Sequence, residues 1–208
     1  MRAAARMKPP KVAVFDLGKV LVDFDYSIAA RRVASHSSIS VDPVRFFSEH
    51  APLLLRYELG QITTRQFFEE VRHISGFSGA PEQFGEFFAD IFTEIPEMTG
   101  LHAQVRSKGC PTYIFSNTNE LAVSHIRRRF PFFANFDGYL YSYEHGAIKP
   151  DAKLYEVVER ATKCRGGEIL YIDDRPENIE TGAARGWQAV LHESPETTRA
   201  ALARARLV

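Results

Sequence analysis

The chain reads as an α/β fold: a Rossmann-like parallel sheet sandwiched by helices, with a small all-helical unit inserted after the first strand. Three observations predict it. Short β-branched and aromatic runs alternate with segments of helical periodicity, which implies parallel strands joined by crossover helices. Residues 26–95 break that alternation and carry no convincing strand signal. Four polar segments each end a strand or open the helix after one, at the edge where open parallel sheets bind ligands.

The strand-like runs are residues 11–15, 112–115, 139–141, 169–172 and 188–191. Helical periods cover 98–108, 120–129, 152–162 and 177–185 between them. Gly109 and Gly186 stand between a helix and the next strand, where a left-handed residue ends a helix. The Phe-rich insertion holds helix-like stretches at 28–34, 43–59, 64–74 and 81–92. Thr63 followed by Gln66 fits a capping box ahead of Phe67, Phe68 and Val71. The expected division is a flexible tail over 1–10, an α/β core from 11–25 and 96–208, and a helical cap over 26–95. The cap's aromatics can bury themselves internally or against a partner. No internal repeat or low-complexity tract is visible.

The 208 residues carry 26 Lys and Arg against 26 Asp and Glu, a balance that favours neither nucleic acid nor an anionic membrane as partner. Arg127, Arg128 and Arg129 form the one basic cluster and read as a solvated helix end. Cys110 and Cys164 lie far apart with no metal-like spacing, as reduced thiols would. The basic stretch before the first strand is too short for a transit peptide, and Met7 offers an alternative start. The apolar run after it is interrupted by Asp16, Lys19 and Asp23, which excludes a secretory or membrane-spanning segment. The expected compartment is the cytoplasm.

Asp16 ends the first strand, where a carboxylate can attack phosphorus and form an acyl-phosphate; an Asp there also serves as a turn or helix cap. Ser116 opens Ser-Asn-Thr-Asn, and its hydroxyl, Asn117 and nearby backbone N–H groups could hold phosphate oxygens, or simply cap a helix. Lys149, before Pro150, could neutralise charge between a nucleophile and a phosphate dianion, or stand in an ordinary turn. Asp173 and Asp174 follow a strongly apolar strand and suit Mg²⁺, which prefers oxygen ligands, or begin a helix with favourable acids. Together they supply a nucleophile, a phosphate cradle, a charge clamp and a metal site, the parts that phosphoryl transfer needs.

From Lys11 onward this combination resembles the haloacid dehalogenase superfamily: Asp16 matches its first motif, Ser116 its second, Lys149 its third and Asp173-Asp174 its fourth. The helical insertion resembles that family's small cap. The runs Phe-Asp-Leu-Gly-Lys-Val-Leu-Val-Asp-Phe-Asp and Ser-Asn-Thr-Asn, with Glu-Asn-Ile after the acidic pair, most resemble the α-D-glucose-1-phosphate phosphatase group. The phosphatase domain of soluble epoxide hydrolase is a more distant similarity. The resemblance implies a Mg²⁺-dependent phosphatase acting on small phosphorylated metabolites, with sugar phosphates the favoured class. Asp16 would be its nucleophile, and Asp16, the Gly18 carbonyl and Asp174 would hold the metal. The family's general acid, an Asp two residues after the nucleophile, is here Gly18, as in the subgroup that the chain most resembles. That loss removes a contribution of about 10²–10⁴-fold from this position. Asp23 and Asp25, downstream, are candidate substitutes, or turn and cap residues.

Two other functions compete. A hydrolytic dehalogenase resembles this fold and also lacks the second Asp, but its chemistry needs no metal and leaves the acidic pair unexplained. A catalytically weak phosphate-binding regulatory protein is the non-enzymatic reading. The aim of His50, Arg56, Tyr57 and Glu58 in the cap is not legible from sequence.

Overall fold

The computed structural model describes residues 9–39 and 42–208. Of the expected tail, residues 1–8 lie outside the described residues, while Pro10 is buried and already belongs to the body of the protein. The first strand, β1 (Val12–Phe15), is buried at every residue. A strand covered on both faces cannot alternate polar and apolar residues. Its even positions, Val12 and Val14, pack with Tyr155, Val158, Tyr171 and Trp187. Its odd positions, Ala13 and Phe15, pack with Met98, Leu101, Ile126 and Leu202.

After β1 the chain makes a short strand β2 (Val22–Phe24) and then five helices. These are α1 (Tyr26–Ala34), α2 (Pro43–Glu49), α3 (Ala51–Glu58), α4 (Thr64–Ser75) and α5 (Pro81–Ala89). A strand β3 (Phe92–Glu94) follows and pairs antiparallel with β2, Phe24 opposite Phe92. The rest alternates: α6 (Pro96–Ser107), β4 (Thr112–Ser116), α7 (Glu120–Arg129), β5 (Gly138–Tyr141), α8 (Ser142–His145), α9 (Ala152–Thr162), β6 (Ile169–Asp173), α10 (Pro176–Ala184), β7 (Gln188–Leu191) and α11 (Pro195–Arg204). The five long-range strands form one parallel sheet in the order β5-β4-β1-β6-β7. Gly109 and Gly186 adopt φ of +77° and +81° after their helices. The Arg127–Arg129 cluster is the last turn of α7, where cations offset the helix dipole.

The insertion differs from expectation in three places. The strand β3 lies within residues 26–95; too short to show a period, it exists because β2 supplies a partner. The expected helix 43–59 is two helices, because Pro52 sits in the first turn of α3 and cannot donate to a continuing helix. The helix expected over 81–92 ends at Ala89, and Phe92 is already strand. The Thr63 capping box forms as expected: Thr63 N–H donates to Gln66 Oε1 at 2.9 Å and Gln66 N–H to Thr63 Oγ1 at 3.2 Å. The Phe side chains turn inward. Phe67 stacks on Tyr57 at 4.5 Å and packs with Phe84 and Phe88, closing a core of the insertion's own. Both cysteines are free and buried. Among the described residues no helix is long and apolar enough to cross a membrane.

Candidate active site

The sheet order places β1 between β4 and β6, so that successive crossovers leave β1 in opposite directions. Beyond the carboxyl ends of such strands the loops diverge and open a crevice. A cavity of about 430 Å³ lies there, lined by Asp16, Gly18, Ser116, Asn117, Lys149 and Asp174 among others. The four segments that are separate in sequence meet because each follows, or returns to, the same edge of the sheet.

Lys149 is the hub. It is 3 % exposed, and its Nζ lies 3.0 Å from Asp16 Oδ1 and 2.6 Å from Asp173 Oδ2. It also donates to the carbonyl of Phe115 at 2.9 Å. Burial opposes its charge, but the two carboxylates outweigh burial and hold the ammonium ionised beyond its ordinary range. Asn117 fixes the backbone that carries it, donating from Nδ2 to Lys149 O at 3.0 Å and accepting Lys149 N–H at 2.7 Å. The Asn117 side chain is therefore engaged by Lys149.

The two buried acids beside Lys149 differ. Asp173 is fully buried and accepts from Lys149, the Tyr171 hydroxyl, Arg175 N–H and Asn178 Nδ2. Burial raises its pKa, but Lys149 and these donors outweigh burial and keep it an anion. Asp16 receives only Leu17 N–H and Lys149, both at Oδ1. There burial wins, with Asp173 adding repulsion, and the carboxyl sits well above the ordinary range. Asp174, half-buried, is also raised, first by burial and then by Asp173.

Carboxylate oxygens of Asp16, Asp173 and Asp174 lie within 4.8 Å of one another. Oxygen donors only, two of them destabilised as anions by their surroundings, suit a hard divalent cation. The four donors already on Asp173 suit it to orienting Lys149, and leave Asp16 and Asp174 as the acids with free coordination capacity. Ser116 ends β4, is 3 % exposed and lines the cavity.

Asp23 and Asp25 do not line the cavity. Asp23 is exposed, pairs with Lys19 and accepts Phe24 N–H at 2.8 Å. Asp25 is the N-cap of α1, accepting Ser27 N–H and Ser27 Oγ, each at 2.8 Å. In the insertion, Arg56 pairs with Glu70, His50 Nδ1 meets Phe46 O, and Tyr57 OH meets Thr64 Oγ1 and Leu121 N–H. Sequence reasoning missed Phe24, Tyr26, Leu55 and Phe92 in the cavity's lining and named Glu58 without being able to aim it; of the four cap residues so named, Glu58 alone lines the cavity. No motif marks them, and the expected helix over 43–59 hid that Glu58 is the last residue of α3.

A profile of the haloacid dehalogenase-like hydrolases matches residues 10–186. The D-ribitol-5-phosphate phosphatase of Bacteroides thetaiotaomicron is 22% identical over 192 residues, covering 88% of this chain and 92% of that protein. The acyl-CoA dehydrogenase family member 10 of Mus musculus is 26% identical over 200 residues; the match takes in 90% of this chain but only 18% of that protein's length. A solved haloacid dehalogenase family enzyme of Bacteroides thetaiotaomicron superposes with a TM-score of 0.78 at 21% identity, covering 88% of this chain and 94% of its own. That enzyme has also been crystallised with magnesium and inorganic phosphate. The match extends over most of the chain, from Pro10, two residues before β1, to Gly186 ahead of β7, and takes in all four polar segments of the cavity: this protein belongs to the haloacid dehalogenase-like hydrolases.

Proposed function

We propose that this protein is a Mg²⁺-dependent phosphatase of small phosphate monoesters, sugar phosphates above all, working through an aspartyl-phosphate on Asp16. The observation that carries the reading is the pairing of Asp16 with Lys149 beside Asp173 and Asp174 in one cavity. Phosphatase relatives and a neighbour that binds magnesium and phosphate support it. In this reading Asp16, the Gly18 carbonyl and Asp174 hold the metal, which when bound screens the phosphate dianion from the attacking carboxylate. Asp16 attacks phosphorus, displaces the alcohol and is regenerated by water. Lys149 neutralises a transferring phosphoryl oxygen, and the Ser116 hydroxyl with the Asn117 backbone N–H holds the others. Asp173 holds Lys149 in place. Residues 26–95 act as a cap over this edge, and the setting is cytoplasmic.

The test is phosphate release from a metabolite-phosphate panel with and without Mg²⁺. Metal-dependent release, lost on chelation, is expected, with the sugar phosphates giving the highest kcat/KM. Metal-independent halide release from a 2-haloacid would replace this reading with a dehalogenase. Phosphate binding without turnover would replace it with a regulatory binding protein.

A further inference from the structure

We propose that Glu58, at the end of α3, is the general acid and base of the reaction, delivered to the ester oxygen from the helical insertion rather than from the sheet. This rests on the phosphatase reading above. An alkyl phosphate expels an alkoxide, and that step needs a proton donor within reach of the leaving oxygen. Gly18, beside the nucleophile, has no side chain to give one. A Cβ built there would lie 2.7 Å from Cε1 of Phe24, whose ring packs against Tyr26 at 5.4 Å and Phe92 at 5.9 Å. The place of an acid beside Asp16 is occupied by an aromatic ring.

The cavity's remaining polar groups leave one donor of suitable strength. Asp16 is the nucleophile, Asp174 a metal ligand, and Lys149 is held charged between two carboxylates. Lys19 is paired with Asp23, donates to Phe24 O at 3.0 Å and stands 4.7 Å over the Phe24 ring. Arg175 is paired with Glu177. Tyr26 is pushed far above the ordinary phenol range, by burial first and then by Glu58. Glu58 lines the same cavity from the helical insertion, half-buried at the last residue of its helix. Burial raises its carboxyl to about 7, against the pull of Arg175, so at neutral pH it exists in both the form that gives a proton and the form that takes one.

The chemistry balances. Asp16 forms a bond to phosphorus as the P–O bond to the alcohol breaks, and the departing oxygen takes the Glu58 proton. The resulting Glu58 carboxylate then takes a proton from the water that attacks the aspartyl-phosphate. Inorganic phosphate leaves, and Asp16 and protonated Glu58 are restored.

The test compares kcat/KM for an alkyl phosphate and for 4-nitrophenyl phosphate, whose leaving group needs little protonation, in wild type, Glu58→Gln and Glu58→Asp with Mg²⁺. Glu58→Gln is expected to lose about 10²–10⁴-fold on the alkyl ester and less than about tenfold on the aryl ester. Glu58→Asp, which keeps the acid, should recover part of the alkyl activity. Equal losses on both esters, or an alkyl rate unchanged in Glu58→Gln, would overturn the role of Glu58 while leaving the phosphatase reading intact. A wild type inactive on both esters would overturn the two together.

Discussion

At the carboxyl edge of the sheet, Asp16 and Asp173 are buried, each within hydrogen-bond reach of the buried Lys149, and each of the three is on a short segment tied to a strand. Between β2 and β3 the buried interior is almost wholly apolar, a cluster of Phe67, Phe68, Phe77, Phe84 and Phe88 around Tyr57. The cavity lies between these regions: the sheet edge gives it Asp16, Lys149 and Asp174, and the insertion with its two flanking strands gives it Phe24, Tyr26, Leu55, Glu58 and Phe92. The difference is one of rigidity. Buried charges are tolerated only where backbone positions leave partners little freedom to separate, and parallel strands supply that. An aromatic cluster needs only area and shape, so it can be built from short helices and loops.

The comparison breaks most sharply at Asp16. Asp16→Asn is nearly isosteric but cannot form an acyl-phosphate, and should lower kcat by on the order of 10⁴-fold or more with an unchanged circular dichroism spectrum. Undiminished turnover, with deamidation ruled out by mass spectrometry, would remove the nucleophile from the sheet edge. Lys149→Met tests the edge as structure. It leaves two buried carboxylates without their cation, which should cost about 3–5 kcal/mol in urea unfolding at pH 7.5. The loss should shrink toward pH 5, where the orphaned acids can take up protons.

Acidity separates the regions in another way. The folded-state pKa of Glu58 stands near 7 against an ordinary 4.5, so the folded protein binds the extra proton in that window. The contribution of Glu58 to stability should therefore fall as pH rises from about 4.5 to about 7, and that of Asp16, also raised, runs in the same direction. Asp173, lowered, contributes the opposite sign, and only around and below its ordinary 3.8. In metal-free protein the wild type should gain melting temperature relative to Glu58→Gln as pH falls from 7.5 to 5.5; His102, His125 and His192, held below their ordinary range chiefly by burial, pull the absolute curve the other way in both chains. Mg²⁺ should raise the melting temperature more at pH 7.5 than at 5.5, because it binds ionised Asp16. A wild type that gains nothing over Glu58→Gln across this range would contradict the burial of Glu58.

Smaller effects test the junction and the insertion alone. Gly18→Ala should destabilise by about 1–3 kcal/mol through its contact with Phe24, and Phe24→Ala in the same chain should relieve it. Additive losses would show that the ring does not fill that space. Thr63→Ala removes the capping box of α4 and should cost about 1 kcal/mol with kcat unchanged.

The alternation of strand and helix, the Phe-rich insertion, the capping box at Thr63 and the set Asp16, Ser116, Lys149 and Asp173-Asp174 were legible in the sequence. Each is a local pattern, or a polar residue ending an apolar run, and the crossover rule brings such ends to one edge without further information. Pairings between distant short segments were not legible. The strand β3 has three residues and no period of its own, and its existence depends on β2 about seventy residues earlier. The break between α2 and α3 rests on Pro52, which a window of helical periodicity averages away. The unequal states of Asp16 and Asp173 depend on which donors reach each carboxylate, and those come from four different segments. Glu58 is the clearest case. In sequence it is one acid among several on amphipathic helices; its burial, its place in the cavity that Asp16 also lines and its raised pKa arise only when the chain folds, because desolvation is a property of what surrounds a group in space.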